Sequence, residues 1–131
     1  MNLTRINYSS GAPMEDKVGY SRMVKVGPFV KIGGTTSVLP DGSVYGEDNT
    51  YEQTKFILEK FVTLLKRAGA TAQDVISIKA YLTDMKNGAE AARAYSEIFH
   101  DIKPLFTAVG TTMLNRPSQL IEIELEAVTN E

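Results

Sequence analysis

The most regular pattern in the chain covers residues 120–128, where Ile121, Ile123 and Leu125 alternate without a break with Glu122, Glu124 and Glu126. A period of two marks a strand with chemically opposite faces. One face needs a core. The other presents three carboxylates about 7 Å apart, and each must meet water, a cation or a functional cleft. A second apolar run, residues 105–113 (LFTAVGTTM), precedes it and completes a C-terminal pair of strands.

Upstream, the pattern predicts a short strand at 3–7, a turn-rich connection at 8–14, and a hairpin of 21–26 and 29–33 about Gly27-Pro28. Gly33-Gly34 closes the second of these strands, and adjacent glycines predict that a backbone or a ligand comes close. Residues 40–43 read as a surface turn. From Asp48 the period changes. Thr50 followed by Gln53 reads as a capping box, and Ile57, Phe61, Leu64, Leu65 and Ala68 recur at spacings of three and four up to Gly69. This predicts an amphipathic helix of about five turns closed by a glycine. Residues 74–84 return to alternation, with Ile76, Ile78, Ala80 and Leu82 on one face. Asn87 is placed to cap a second helix, 88–99, striped by Ala91, Ala94, Tyr95 and Ile98 and stopped by Pro104.

That order predicts a single α+β domain over residues 1–131, with both helices on one face of the sheet. The second face is left bare, and symmetric self-association is the economical way to cover it. Length agrees, since 131 residues suffice to bury roughly two thirds of the unfolded surface. Hydrophobic residues at 43% and charged residues at 23% exclude a disordered chain or a coiled coil. With no cysteine there is no disulfide framework and no thiolate nucleophile. No basic segment is followed by an apolar run of signal-peptide length, and no stretch approaches membrane-spanning length, so a soluble, cytoplasmic protein is expected. A net charge of −2 without a basic stripe argues against nucleic acid as a partner.

The motifs Gly19-Tyr-Ser-Arg-Met-Val-Lys-Val26, Phe29-Val-Lys-Ile-Gly-Gly34, Gln53, Ala68-Gly-Ala70 with Asp74-Val75, Tyr81-Leu-Thr-Asp84, Tyr95 with Phe99, Pro104 and Ile121-Glu-Ile-Glu124 follow one another across the chain. Together they closely resemble the RidA (YjgF/YER057c/UK114) family. The resemblance implies a chorismate-mutase-like fold: a six-stranded mixed sheet with two helices on one face, assembled as a homotrimeric barrel with ligand clefts at the subunit interfaces. It also implies hydrolysis of enamine and imine intermediates to 2-keto acids and ammonia, without a cofactor. No His or Asp lies at paired ligand spacing near Glu122, Glu124 and Glu126, so no metal is expected there. In the archetypal members an arginine clamps the substrate carboxylate and a glutamate positions water. Here the glutamate is matched by Glu122 and a cleft tyrosine by Tyr20. The arginine position holds Phe106, a serine position Gly33, an asparagine position Ala92, and a cysteine or threonine position Ala108.

Loss of a guanidinium fork removes two charge-assisted hydrogen bonds, each contributing about 1.5–3 kcal/mol. Phe106 cannot replace them. Phe106, Ala108 and Gly110 alternate onto one strand face and make the expected cleft roomier and more apolar. A cation to compensate is sought in Lys31, two residues before Gly33; the plainer role for Lys31 is to neutralise Glu124 or Glu126 across the sheet. The expected partner is a small keto or imino acid-like ligand. The readings left open are an imine or enamine hydrolase with Glu122 as its catalytic residue, a non-catalytic trimer that senses a metabolite, and, weakest, an endoribonuclease or translation inhibitor. His100, the only histidine, is expected to serve a helix end.

Overall fold

The computed structural model describes residues 3–130. Helices form where the apolar spacing places them. α1 (Thr50–Arg67) buries Ile57, Leu58, Phe61, Leu64 and Leu65, and stops at Ala68 before Gly69, whose φ of +76° breaks the helical path. α2 (Gly88–Phe99) buries Ala91, Ala94 and Phe99. Both helices cover one face of a six-stranded sheet built from β1 (Arg5–Tyr8), β2 (Met23–Val26), β3 (Phe29–Thr35), β4 (Val75–Leu82), β5 (Leu105–Gly110) and β6 (Ile121–Val128), ordered β1-β2-β3-β6-β4-β5. β4 and β5 run parallel, with α2 as the crossover that a parallel pair requires; the other neighbours are antiparallel. Ile32, Ile78, Leu82, Ile121, Ile123 and Leu125 face the helices with 1% exposure or less. Each such side chain contributes about 1.5–3 kcal/mol on burial.

Several details differ from the sequence expectation, each for a local reason. The two C-terminal strands are not neighbours: β6 is inserted between β3 and β4, and β5 lies at the sheet edge beyond β4. The α1 cap is Asn49, whose side chain accepts from the Glu52 amide. Thr50 is the first helical residue and Gln53 turns inward, so the predicted box does not form. At α2 the carboxylate of Asp84 accepts from the Lys86 amide and opens a short turn that leads into the helix; Asn87 makes no side-chain cap. Ile76 is 49% exposed because the β4–β6 register shifts between Val75 and Ser77, which turns Val75 inward instead. Gly33 and Gly34 lie inside β3, at a register shift between Ile32 and Thr35. A bulge there re-aims the strand next to Glu122.

Candidate functional site

The three carboxylates of β6 meet three different environments. Glu126 pairs with Lys31 at 3.5 Å, both being well exposed. This is the plain neutralising role, and Lys31 is not among the residues lining the cleft that holds Glu122. Glu124 accepts a hydrogen bond of 3.1 Å from the Tyr81 hydroxyl of β4. Glu122 turns instead into a cleft of about 760 Å³ where β3 ends and β6 begins, walled by the loops around residues 10–14, 36–42 and 115–119 and by one side of α1. Its carboxyl lies against Gly34 so closely that a Cβ there would meet Oε2 in hard overlap, with Cδ 3.1 Å away. The close approach predicted at the glycine pair is thus made by a side chain, and at Gly34. A Cβ at Gly33 would meet the Arg22 and Ser21 carbonyls at ordinary distances of 3.7 and 4.0 Å.

Burial raises the Glu122 pKa above the ordinary carboxylate value; Arg22 opposes the rise and Glu124 adds to it. The carboxyl is thereby drawn toward the protonation range useful for acid–base work. Phe106, expected to make the cleft roomier and more apolar, is not among the residues that line it within this chain. Phe106 and Ala108 lie on the helix-covered face of β5, in register with Ile78 and Ala80, and Phe106 stacks on Tyr95 of α2 with centroids 4.1 Å apart and planes 8° apart. Within one chain they do not line the cleft that holds Tyr20, Gly34 and Glu122.

Arg22 is the cation that the sequence reading passed over, although it stands inside the quoted Tyr20-Ser-Arg-Met motif. Its Nη1 donates to the Gly34 carbonyl at 2.6 Å and to Thr35 Oγ1 at 3.3 Å, and its Nε is 3.8 Å from Glu15 Oε2. Glu15 opens a single wide turn, Glu15–Gly19, closed by the Tyr20 amide donating to the Glu15 carbonyl. Burial alone would raise its pKa. The hydroxyls of Ser10 and Ser9, the Ser10 amide and the Arg22 charge outweigh that and hold the carboxyl below its usual range. The result is a fixed Glu15–Arg22–Gly34 strut beneath Glu122. Lys60 of α1 also lines the cleft, its pKa lowered by burial and by Arg22 despite the opposing pull of Glu15. Arg22 and Lys60 were not legible as site residues because nothing in strand or helix periodicity aims them at one point.

Gln53 frames the site from behind. Fully buried, its amide nitrogen donates to the carbonyls of Gly46 and Ser118, and its oxygen accepts from the Leu120 amide. One side chain of α1 thereby ties two loops to the start of β6. His100 is exposed and bonds Asp101, away from the cleft. The described residues contain no cluster of three metal-ligating groups and no helix long and apolar enough to cross a membrane.

Residues 11–129 match the model of the family described as Endoribonuclease L-PSP. A RutC family protein of Pyrococcus abyssi is 34% identical over 109 residues, covering 83% of this chain and 84% of the relative. Protein MMF1 of Saccharomyces cerevisiae, named as mitochondrial, is 26% identical over 112 residues, covering 86% of this chain and 74% of its own length. Among solved structures, a YjgF/YER057c/UK114 family member from Mycobacterium tuberculosis aligns with a TM-score of 0.86 at 35% identity, over 96% of this chain and 100% of that one.

Proposed function

The chain belongs to the YjgF/YER057c/UK114 family, also described as the endoribonuclease L-PSP family, and from that premise we propose that it hydrolyses a small imine or enamine to a carbonyl compound and ammonia. The observation that carries the reading is the Glu122 carboxyl: desolvated, raised in pKa, pressed against a glycine and backed by a fixed guanidinium. Such a group can take a proton from water as it adds to the imine carbon and return one to the departing nitrogen. We further propose a homotrimeric assembly in the cytoplasm. The open sheet face supports assembly, since it carries Leu105 and Val109 beside Tyr81 and the carboxylates. In an assembly of copies, the open face of the β5 edge of one subunit, with Leu105, Thr107 and Val109, would complete the Glu122 cleft of another.

The test is to generate 2-imino acids enzymatically from aliphatic, aromatic and cationic amino acids and follow imine loss with and without the protein. Acceleration that disappears in Glu122→Ala is expected. No acceleration over buffer for any precursor would end the hydrolase reading, and sedimentation as a folded monomer at micromolar concentration would end the trimer.

A second reading, a non-catalytic trimer that binds a metabolite, is favoured by one observation. The position where the family resemblance expects a substrate-clamping arginine holds a phenylalanine engaged with Tyr95. A ligand that raises the melting temperature without being turned over would decide for it. RNA cleavage is the weakest reading, since the sole histidine lies outside the cleft.

A further inference from the structure

The charged side chains lining the cleft are Arg22, Lys60, Arg116 and Glu122, three cations against one carboxyl. Their commitments differ. Arg116 donates from Nη1 to the Gly42 carbonyl at 2.6 Å. Arg22 is held by Gly34, Thr35 and Glu15, yet its buried Nε has no hydrogen-bond partner. Lys60 is half-buried, and among the described residues its ammonium forms no hydrogen bond or ion pair. Glu15 could balance only one of these charges and is already bonded to Ser10 and Arg22. Two cations that repel one another in a partly desolvated cleft are an unbalanced arrangement, and an incoming anion would relieve it. Beside them Phe56, Val38, Leu39 and Met14 supply an apolar wall.

We propose that Lys60, with Arg22 behind it, receives the carboxylate of the keto or imino acid-like ligand, whose apolar body lies along the Phe56 and Val38 wall. The charge removed at position 106 is supplied from α1, not from Lys31, whose ammonium pairs with Glu126. The proposal rests on the reading that this cleft is the ligand site, and it does not depend on hydrolysis. Lys60 then acts as a specificity residue: it selects the carboxylate and leaves the carbonyl or imine carbon toward Glu122.

Calorimetric titration with benzoylformate, its uncharged methyl ester and inorganic phosphate tests this on the wild type, Lys60→Met and Lys60→Arg. The acid should bind the wild type, with the ester about tenfold or more weaker. Lys60→Met should reduce the acid to the affinity of the ester, and Lys60→Arg should restore most of the difference. Thermal melts check folding, which Lys60→Met should not harm because it removes a partly desolvated charge. Acid binding by Lys60→Met within about twofold of wild type would show that Lys60 merely reaches out to solvent and would overturn the proposal. So would phosphate binding as tightly as the acid, or no binding of the acid to the wild type at millimolar concentration. Imine turnover on the same proteins separates the two readings: carboxylate binding lost in Lys60→Met with no turnover in the wild type removes only the hydrolase, whereas turnover with unchanged carboxylate binding in Lys60→Met removes only this inference.

Discussion

Gly34→Ala is the substitution that most directly probes the site. The Gly34 φ is not in the left-handed region, so alanine meets no backbone strain there, and reduced freedom of the unfolded chain favours it by about 0.4–1 kcal/mol. Against this, the new methyl would overlap Glu122 Oε2 and sit 3.1 Å from Cδ and 3.4 Å from Cγ. These atoms are the far end of a flexible side chain, so Glu122 can swing away at a rotamer cost of about 0.5–1.5 kcal/mol. The two contributions nearly cancel, and the urea midpoint should move by no more than about 1 kcal/mol equivalent. The chemistry should not survive as well, because displacing a reacting group by about 1 Å costs on the order of a hundredfold in rate. Carboxyl NMR titration would show Glu122 shifting toward an ordinary carboxylate pKa, and imine loss would fall in parallel. Gly33→Ala is the paired comparison: its methyl meets the Arg22 carbonyl at an ordinary 3.7 Å, and Glu122 should titrate as before. If Gly34→Ala keeps both the Glu122 titration and full turnover, the glycine contact does not position the carboxyl. If it unfolds the protein, Glu122 is not free to move.

The two carboxylates flanking Arg22 should leave opposite signatures in stability against pH. Glu122 has a raised folded pKa, so its contribution is complete below the unfolded value and is lost as pH rises through the folded one; Glu122→Gln should be at least as stable as wild type at neutral pH, the gap closing on acidification. Glu15 has a lowered folded pKa, so its contribution is present above the unfolded value and is lost as pH falls through the folded one. Glu15→Gln should cost about 2 kcal/mol at neutral pH, from weakened bonds to a charged group, and little in acid. Gln53→Leu leaves the Gly46 and Ser118 carbonyls and the Leu120 amide without their partner; chemical denaturation should show a loss of about 3 kcal/mol. Phe106→Ala should cost about 2–3 kcal/mol, less than a fully buried phenylalanine, because the ring is half-buried but stacked on Tyr95.

The fold was legible wherever one side chain's direction follows from period alone. The Ile121, Ile123, Leu125 alternation and the α1 stripe both landed on the core, because a buried face tolerates no slip in register. Ile76 did not, since a single register shift reverses every inference about facing on its far side, and no pattern in 74–84 announces it. The caps failed similarly: Asn49 and Thr50 are both competent, and tertiary demand on Gln53 decided between them. Of the site, Tyr20 and Glu122 were readable through the family resemblance, and the closeness at the glycine pair through composition. Phe106 was read on the correct strand, but its face depends on which strand pairs with β5, a long-range fact. Arg22 and Lys60 come from a strand and a helix that nothing local connects.

The position of β6 also governs how the molecule comes into being. β1, β2 and β3 form one hydrogen-bonded group and β4 with β5 another, and the two share no ladder except through β6. On the ribosome both half-sheets emerge before the strand that joins them, so the apolar faces of Ile32 and Ile78 must wait for Ile123 and Leu125. Closing such distant pairings is slow in folding. The nascent chain is thus most exposed to misassociation in the interval before residues 121–128 clear the exit tunnel, and chaperone demand should concentrate there.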